Sequence, residues 1–316
     1  MSTILITGGA GFIGRFLVER CVSRGWQVVV YDNLVTGKRE NIENYPVIFY
    51  REDILNYQKL NEVIKIHQPQ IIFHLAAHHY IPYCESHPFE TIQVNVGGTA
   101  SVMQAAIENG VKRVVFASTG GIYVSKEAPL TEESEIVITN FYTLSKAMAE
   151  QIIQFFYNQY SSTECVIARL FNVYGPYETN PHLIPEIIRS LKTNRDVVYL
   201  GNIHTKRDYI YVEDAGEALL ALAEAPLIKK CDIFNVGSGY QFSAKEIVQI
   251  IEEFSGYPIR IIQEPARIRK IDKPYQLADI RKINLLTGWR PRHTFRDGLY
   301  KLLMHEGLLP IERRIS

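Results

Sequence analysis

Only four cysteines occur in 316 residues, Cys21, Cys84, Cys165 and Cys231, and none sits in a CxxC pair or beside a histidine at ligand spacing. That scarcity argues against a disulfide framework and against a zinc site, so no metal is expected and a reducing cytoplasm is the expected setting. An excess of either charge is also lacking, because 34 Lys plus Arg balance 34 Asp plus Glu. No global field therefore favours nucleic acid or an anionic membrane, and any anion site must be built locally. Long apolar runs are missing too. MSTILITGG is shorter than a signal peptide's apolar run requires, and no later stretch reaches the length that spans a bilayer. Internal repeats and low-complexity tracts are not found.

What the chain does contain is alternation. Short runs rich in Ile, Val and Phe recur at 3–7, 27–31, 47–50, 70–75, 113–118 and 164–170. Between them, 15–25, 57–67 and 98–110 carry apolar residues at three- and four-residue spacing. Strands alternating with helices predict an α/β fold with a Rossmann-type, doubly wound parallel sheet. After about residue 175 the rhythm changes, with a helix near 185–193 and a Pro/Arg-rich stretch, EPARIRKIDKP. The expected organisation is a nucleotide-binding domain over 1–174, with returns to its sheet near 207–224 and 232–237. A smaller interleaved α/β domain then takes most of 175–316.

The first strand runs into TGGAGFIG, which places Gly8, Gly11 and Gly14, with Phe12 and Ile13 between them, at a strand-to-helix turn. Glycine there lets backbone approach a pyrophosphate at the helix N-terminus. Such clusters also occur in ordinary tight turns, but this one follows a strand, opens a helix and is followed by Asp32 at the end of the second strand. A carboxylate in that position accepts ribose hydroxyls and repels a 2′-phosphate, which favours NAD over NADP. Asp53, after the third strand, suits an adenine contact or, equally, a helix N-cap.

With 19 tyrosines in the chain, a YxxxK pair can arise by chance as a surface pair. In NFYTLSKAMAE, however, Tyr142 and Lys146 share one helix face, and an ammonium near the phenol would lower its pKa and make it a general base. Such a base needs a nearby electron acceptor and a bound substrate.

Taken together, TGGAGFIG, YDNLVTGKREN, HLAA, NVGGT, STGGIY, YTLSK and RLFNVYGP resemble the extended short-chain dehydrogenase/reductase superfamily. The resemblance is to its NAD-dependent nucleotide-sugar epimerase/dehydratase group, and most of all to the UDP-glucose 4-epimerases, over nearly the whole chain. It implies an NAD-dependent isomerase working through a transient 4-keto sugar, with a nucleotide sugar as partner and a homodimer as assembly. It also implies pyrophosphate contacts from the glycine turn, ribose contacts from Asp32 and Asn33, and adenine contacts from Asp53 and Ile54. Leu75, Ala76 and Ala77 would pass the nicotinamide ribose, and Asn95 would steady the neighbouring strand end and contact cofactor. Where many relatives carry Lys or Gln after the alanine run, this chain has His78 and His79, to which no chemistry is assigned.

By the same resemblance Tyr142 is the base, Lys146 holds the nicotinamide ribose, and Thr119 or Ser118 binds the reacting oxygen. Gly120 and Gly121 stand where sugar 4,6-dehydratases place Asp-Glu, which favours oxidation and re-reduction over elimination. Arg207, Arg269 and Asp272 match the diphosphate site, with RKID where the family reads RPGD. Asn172, His182, Leu183 and Leu200 fall where relatives touch the nucleotide sugar. A decarboxylase or dehydratase drawing on Glu132, Glu133 or Glu178, or a catalytically silent NAD-binding regulator, are the alternative readings.

Overall fold

The computed structural model describes residues 2–160, 162–268 and 272–309. Its main sheet has seven strands: β1 (Thr3–Thr7), β2 (Gln27–Tyr31), β3 (Val47–Tyr50), β4 (Ile71–His74), β5 (Arg113–Thr119), β6 (Glu164–Leu170) and, returning late, Cys231–Val236. That last strand is β10, after β7 (Asn172–Tyr174), β8 (Val197–Leu200) and β9 (Lys206–Tyr211). The order is β10-β6-β5-β4-β1-β2-β3, and every pair in it is parallel. Parallel strands covered on both faces read as continuous apolar runs, and every residue of β1 and β5 is buried.

Helices α1 (Phe12–Ser23), α2 (Tyr57–His67), the short α3 (Ile81–Ser86) and α4 (Pro88–Ile92), α5 (Gly98–Glu108) and α6 (Phe141–Tyr160) connect these strands. α4 and α5 are joined through a π-helical turn at 93–97. The chain winds outward through β2 and β3, then crosses back to β4 on the other side of β1. The ends of β1 and β4 therefore form the crevice at which open α/β sheets bind ligands. They approach closely there: a Cβ on Gly8, which has φ +72°, would lie 2.7 Å from the Ala76 nitrogen. Behind the crevice, Thr7 Oγ1 and His74 Nδ1 are 2.8 Å apart and His74 Nε2 is 3.0 Å from Thr99 Oγ1. Burial pushes His74 down to about 3, so it is a neutral strut across the strand ends.

The second layer is built on β9, which pairs with β7, with β11 (Gln241–Ser243) and with β13 (Tyr275–Gln276). β8 pairs separately with β12 (Arg260–Gln263). Its apolar core gathers Ile187 and Leu191 from α7 (Leu183–Asn194), Ile247 and Ile251 from α9 (Ala244–Ser255), and Leu299 and Leu303 from α11 (Phe295–His305). Both α9 and α11 open on capping boxes, Ser243 with Glu246 and Thr294 with Asp297, which satisfy first-turn N–H groups.

The return of 207–224 to the main sheet, expected from the sequence, is made only by its second half. α8 (Val212–Glu224) packs on α1, where Arg20 and Arg24 pair with Glu217 at 3.3 and 3.0 Å. β9 itself belongs to the second sheet, because its neighbours are the short strands β7, β11 and β13. The last helix before α11, α10 (Arg281–Thr287), lies against β10.

Candidate active site

A cavity of about 920 Å³ opens where the C-terminal ends of β1, β2, β4 and β5 face α7, β8 and β9. Gly8, Gly11, Phe12, Ile13, Gly14, Asp32, Asn33, Asp53, Ile54 and the Leu75–Ala77 run line its sheet side. The glycine turn is folded against itself, and a Cβ on Gly14 would stand 2.2 Å from the Gly8 carbonyl oxygen. Gly11 caps α1 in extended conformation with no side chain over the first-turn N–H groups. That is the geometry that receives a pyrophosphate. The Asp32 carboxylate is buried and accepts from the Ala10 N–H at 3.0 Å and the Leu34 N–H at 2.8 Å. Burial raises its pKa against the pull of those two donors. A buried carboxylate held only by neutral N–H donors fits a neutral ribose diol far better than a second phosphate.

Asp53 accepts from Asn33 Nδ2 at 2.7 Å and from the Leu55 N–H at 2.8 Å, so it braces the loop after β3 while lining the cavity. The helix cap that follows is Asn56, whose side chain accepts from the Lys59 N–H. Asn95 does not line the cavity. Its amide donates to the His78 carbonyl and to Ser145 Oγ, and its oxygen accepts from the His78 N–H. These bonds fix the strand end that Asn95 was expected to steady.

The two hydroxyls at the end of β5 separate cleanly. Ser118 donates to Glu150 Oε1 at 2.5 Å, and Glu150 is locked to Arg169 at 2.7 and 3.0 Å in a fully buried pair. Removing one member of such a pair typically costs about 3–5 kcal/mol, so Ser118 belongs to a structural network. Thr119 Oγ1 accepts from the Gly121 N–H at 3.0 Å, which leaves its proton for the Tyr142 phenol. The next residue has no room for a side chain, since a Cβ on Gly120 would lie 2.7 Å from the Phe171 ring. A carboxylate at position 120 would require Phe171 to move.

Tyr142 and Lys146 share one face of α6 and both line the cavity. Lys146, 3% exposed, donates to the Ala117 carbonyl at 2.8 Å with its ammonium 4.6 Å from the Phe116 ring centre. Burial lowers it to about 8. The lowering of Tyr142 by Lys146 expected from the sequence is not found. Burial pushes the phenol up to about 12, and the opposing influence is the Thr119 hydrogen bond. The ammonium is engaged by the Ala117 carbonyl at the end of β5, so helical spacing overstates its coupling to the phenol.

Known proteins match this chain over most of its length, in sequence and in fold. The model of the NAD dependent epimerase/dehydratase family matches residues 4–237. The chain belongs to this family. A UDP-glucose 4-epimerase of Lacticaseibacillus casei is 31% identical over 309 residues, covering 92% of this chain and 92% of that protein. A UDP-N-acetyl-alpha-D-glucosaminuronate decarboxylase of Bacillus cytotoxicus is 30% identical, covering 93% and 94%. The crystal structure of a UDP-glucose 4-epimerase with UDP-glucose from Thermotoga maritima superposes with a TM-score of 0.88 at 28% identity, covering 99% of this chain and 100% of that one.

Within this family member, Asn172, His182, Leu183, Leu200, Arg207 and Asp272 line the half of the cavity opposite the glycine turn. Arg207 donates to Asp272 Oδ1 and to the Lys273 carbonyl, each at 2.5 Å. Arg269 lies outside the described residues. Of the three carboxylates considered from the sequence, Glu178 alone lines the cavity. Glu132 accepts from the Asn235 N–H at 2.8 Å, and Glu133 is exposed.

Ligand atoms of His79, Glu178 and His182 lie within 4.8 Å of one another. They have protein partners: His79 Nε2 is 2.9 Å from Asn180 Nδ2, its ring also bonds the Ala77 backbone, and Glu178 accepts from the Asn180 N–H at 2.9 Å, while the His182 ring packs near those of His79 and Tyr80. The set forms one wall of the cavity, a placement that the doublet HHY and the loop YETN did not reveal in sequence.

Burial raises Glu178 to about 7. The folded state therefore binds its proton more tightly than the unfolded chain, and this group's contribution to stability is lost as pH rises from the unfolded value near 4.5 to about 7. Glu178→Gln removes that dependence. The variant is expected to melt a few degrees above the parent at pH 8, with the gap closing toward pH 4.5, as read by circular dichroism. A constant gap would place the carboxylate's charge in solvent.

Proposed function

We propose that the protein is an NAD-dependent UDP-sugar 4-epimerase. The observation that carries this reading is the cluster at the end of β5, where Thr119 is aimed at Tyr142, Lys146 is buried beside them, and packing denies a side chain to Gly120. The residues that line the glycine-turn half of the cavity would hold NAD, with Asp32 on the adenosine ribose and Lys146 on the nicotinamide ribose. Bound NAD supplies a reversible acceptor for one hydride. Tyr142, as phenolate, takes the proton of the sugar 4-hydroxyl while carbon 4 gives up its hydride, and Thr119 holds the same oxygen. The 4-keto sugar then turns over in the cavity. When hydride returns to the opposite face, Tyr142 returns the proton to the oxygen, and no net oxidation results.

Arg207, with Asp272 fixing its guanidinium, and Asn172 serve the diphosphate end of the substrate. A cytoplasmic homodimer is the assembly this reading takes. Phe155 and Tyr160, 62% and 59% exposed on α6, support it, and light scattering at twice 36.2 kDa would register it. Glu178 in the cavity wall favours a second reading, decarboxylation or loss of water from a nucleotide sugar.

Incubation with UDP-, dTDP- and GDP-sugars, followed by NMR, separates the two. Inversion at carbon 4 of a UDP-sugar without consumption of added NAD is the expected result. Release of carbon dioxide or water would replace the first reading by the second, and inertness toward every sugar would remove both.

A further inference from the structure

Arg207 and the turn bearing Thr119 are joined through one short segment, residues 272–276. On one side, Arg207 holds Asp272 and the Lys273 carbonyl, and it sits opposite Gln276 in the parallel β9–β13 register. On the other side, the Lys273 ammonium donates to the Gly121 carbonyl at 2.6 Å and to the Tyr123 carbonyl, with the Val137 carbonyl 3.5 Å away. Gln276 Nε2 donates to the Gly120 carbonyl at 3.1 Å. Ser125 Oγ donates to the Tyr275 carbonyl and accepts from the Tyr275 N–H, at 2.9 and 3.0 Å. The segment is therefore stitched along the catalytic turn while its first residues are in the grip of Arg207. A lysine ordinarily keeps its ammonium in water or opposite a carboxylate. This one is half-buried among backbone carbonyls, those of Gly121 and Tyr123 at the turn and of Val137 beside it.

We propose that Lys273 is a positioning residue that couples occupancy of the diphosphate site at Arg207 to the placement of Thr119. The proposal rests on the nucleotide-sugar reading. When the guanidinium is drawn to a diphosphate, Asp272 and the Lys273 backbone move with it. The Lys273 side chain passes that displacement to the Gly121 carbonyl, next to the N–H that fixes Thr119 Oγ1. The sugar end is then aligned for proton transfer only when the nucleotide end of the same molecule is held. A misplacement of about 1 Å at a reacting group can cost roughly a hundredfold in rate, so a single side chain suffices to carry the effect.

The test uses the full chain with NAD bound, and compares the parent with Lys273→Met and Lys273→Arg. Hydrogen–deuterium exchange of residues 119–125 is followed with and without UDP, alongside titration of UDP and turnover of UDP-glucose. In the parent, UDP is expected to slow exchange in this segment. In Lys273→Met the slowing disappears and kcat falls at least about tenfold while UDP affinity stays within about threefold, and Lys273→Arg recovers part of both. A Met variant with parental kcat, or with the UDP-induced slowing intact, overturns the proposal. Equal losses of kcat and UDP affinity also overturn it, because they mark a plain structural role. If Lys273→Met does not fold, Lys273→Gln is judged by the same criteria. A parent that fails to bind UDP removes the underlying reading, whereas a parent that binds and turns over beside an unaffected variant removes the coupling alone.

Discussion

Replacing Tyr142 by Phe is expected to lower turnover of UDP-glucose by at least about a hundredfold, the scale of a lost general base, with fold and NAD affinity retained. The ring packs on α6 as before, and only the oxygen that faces Thr119 is lost. The pH profile makes the test specific. Burial holds the phenol up to about 12 before the site is filled, so its ionised form is the minor one near neutrality and parental turnover rises with pH. The Phe variant loses both the rate and that rise. Single-turnover kinetics with NMR detection of the product reads both, and a variant within a few-fold of the parent at every pH would move the base elsewhere in the cavity.

The second large effect is expected at Arg207. Its guanidinium is oriented by Asp272 and by the Lys273 carbonyl, so one edge of a planar fork is fixed before any anion arrives. Loss of a charge-assisted hydrogen bond costs about 1.5–3 kcal/mol, so Arg207→Ala should weaken UDP binding about ten- to a hundredfold. Arg207→Lys should recover little of this, because a compact ammonium cannot hold Asp272 and a phosphate in the same planar geometry. Calorimetric titration of UDP into the NAD-loaded variants measures both. Undiminished affinity in the Ala variant would place the diphosphate away from β9 and withdraw the main electrostatic support for a nucleotide substrate.

The sequence by itself determined the backbone plan. Strand and helix periodicities reflect which faces are buried, and that pattern is written in runs of five to ten residues such as TILIT and QVVVY. The strands from β1 to β6 fall within a residue or so of their expected positions. The glycine turn was equally legible, because the positive φ of Gly8 and the contact of a Gly14 Cβ with the Gly8 carbonyl are local steric facts. So was the shared helix face of Tyr142 and Lys146.

Tertiary structure decided whatever depends on residues distant in the chain. Ser118 and Thr119 are equivalent in sequence, and the distinction between them comes from Glu150, 32 residues later, which takes the Ser118 proton. Asn95 is tied to His78 and Ser145, partners 17 and 50 residues away. Arg207 finds Asp272 across 65 residues, and Lys273 reaches Gly121 across 152. β9 left the main sheet because β7, β11 and β13 offered it closer partners. The ionisation of Tyr142 also lay beyond the sequence. Spacing along a helix fixes which side chains share a face, but desolvation depends on everything packed around them, and here it outweighs the neighbouring charge.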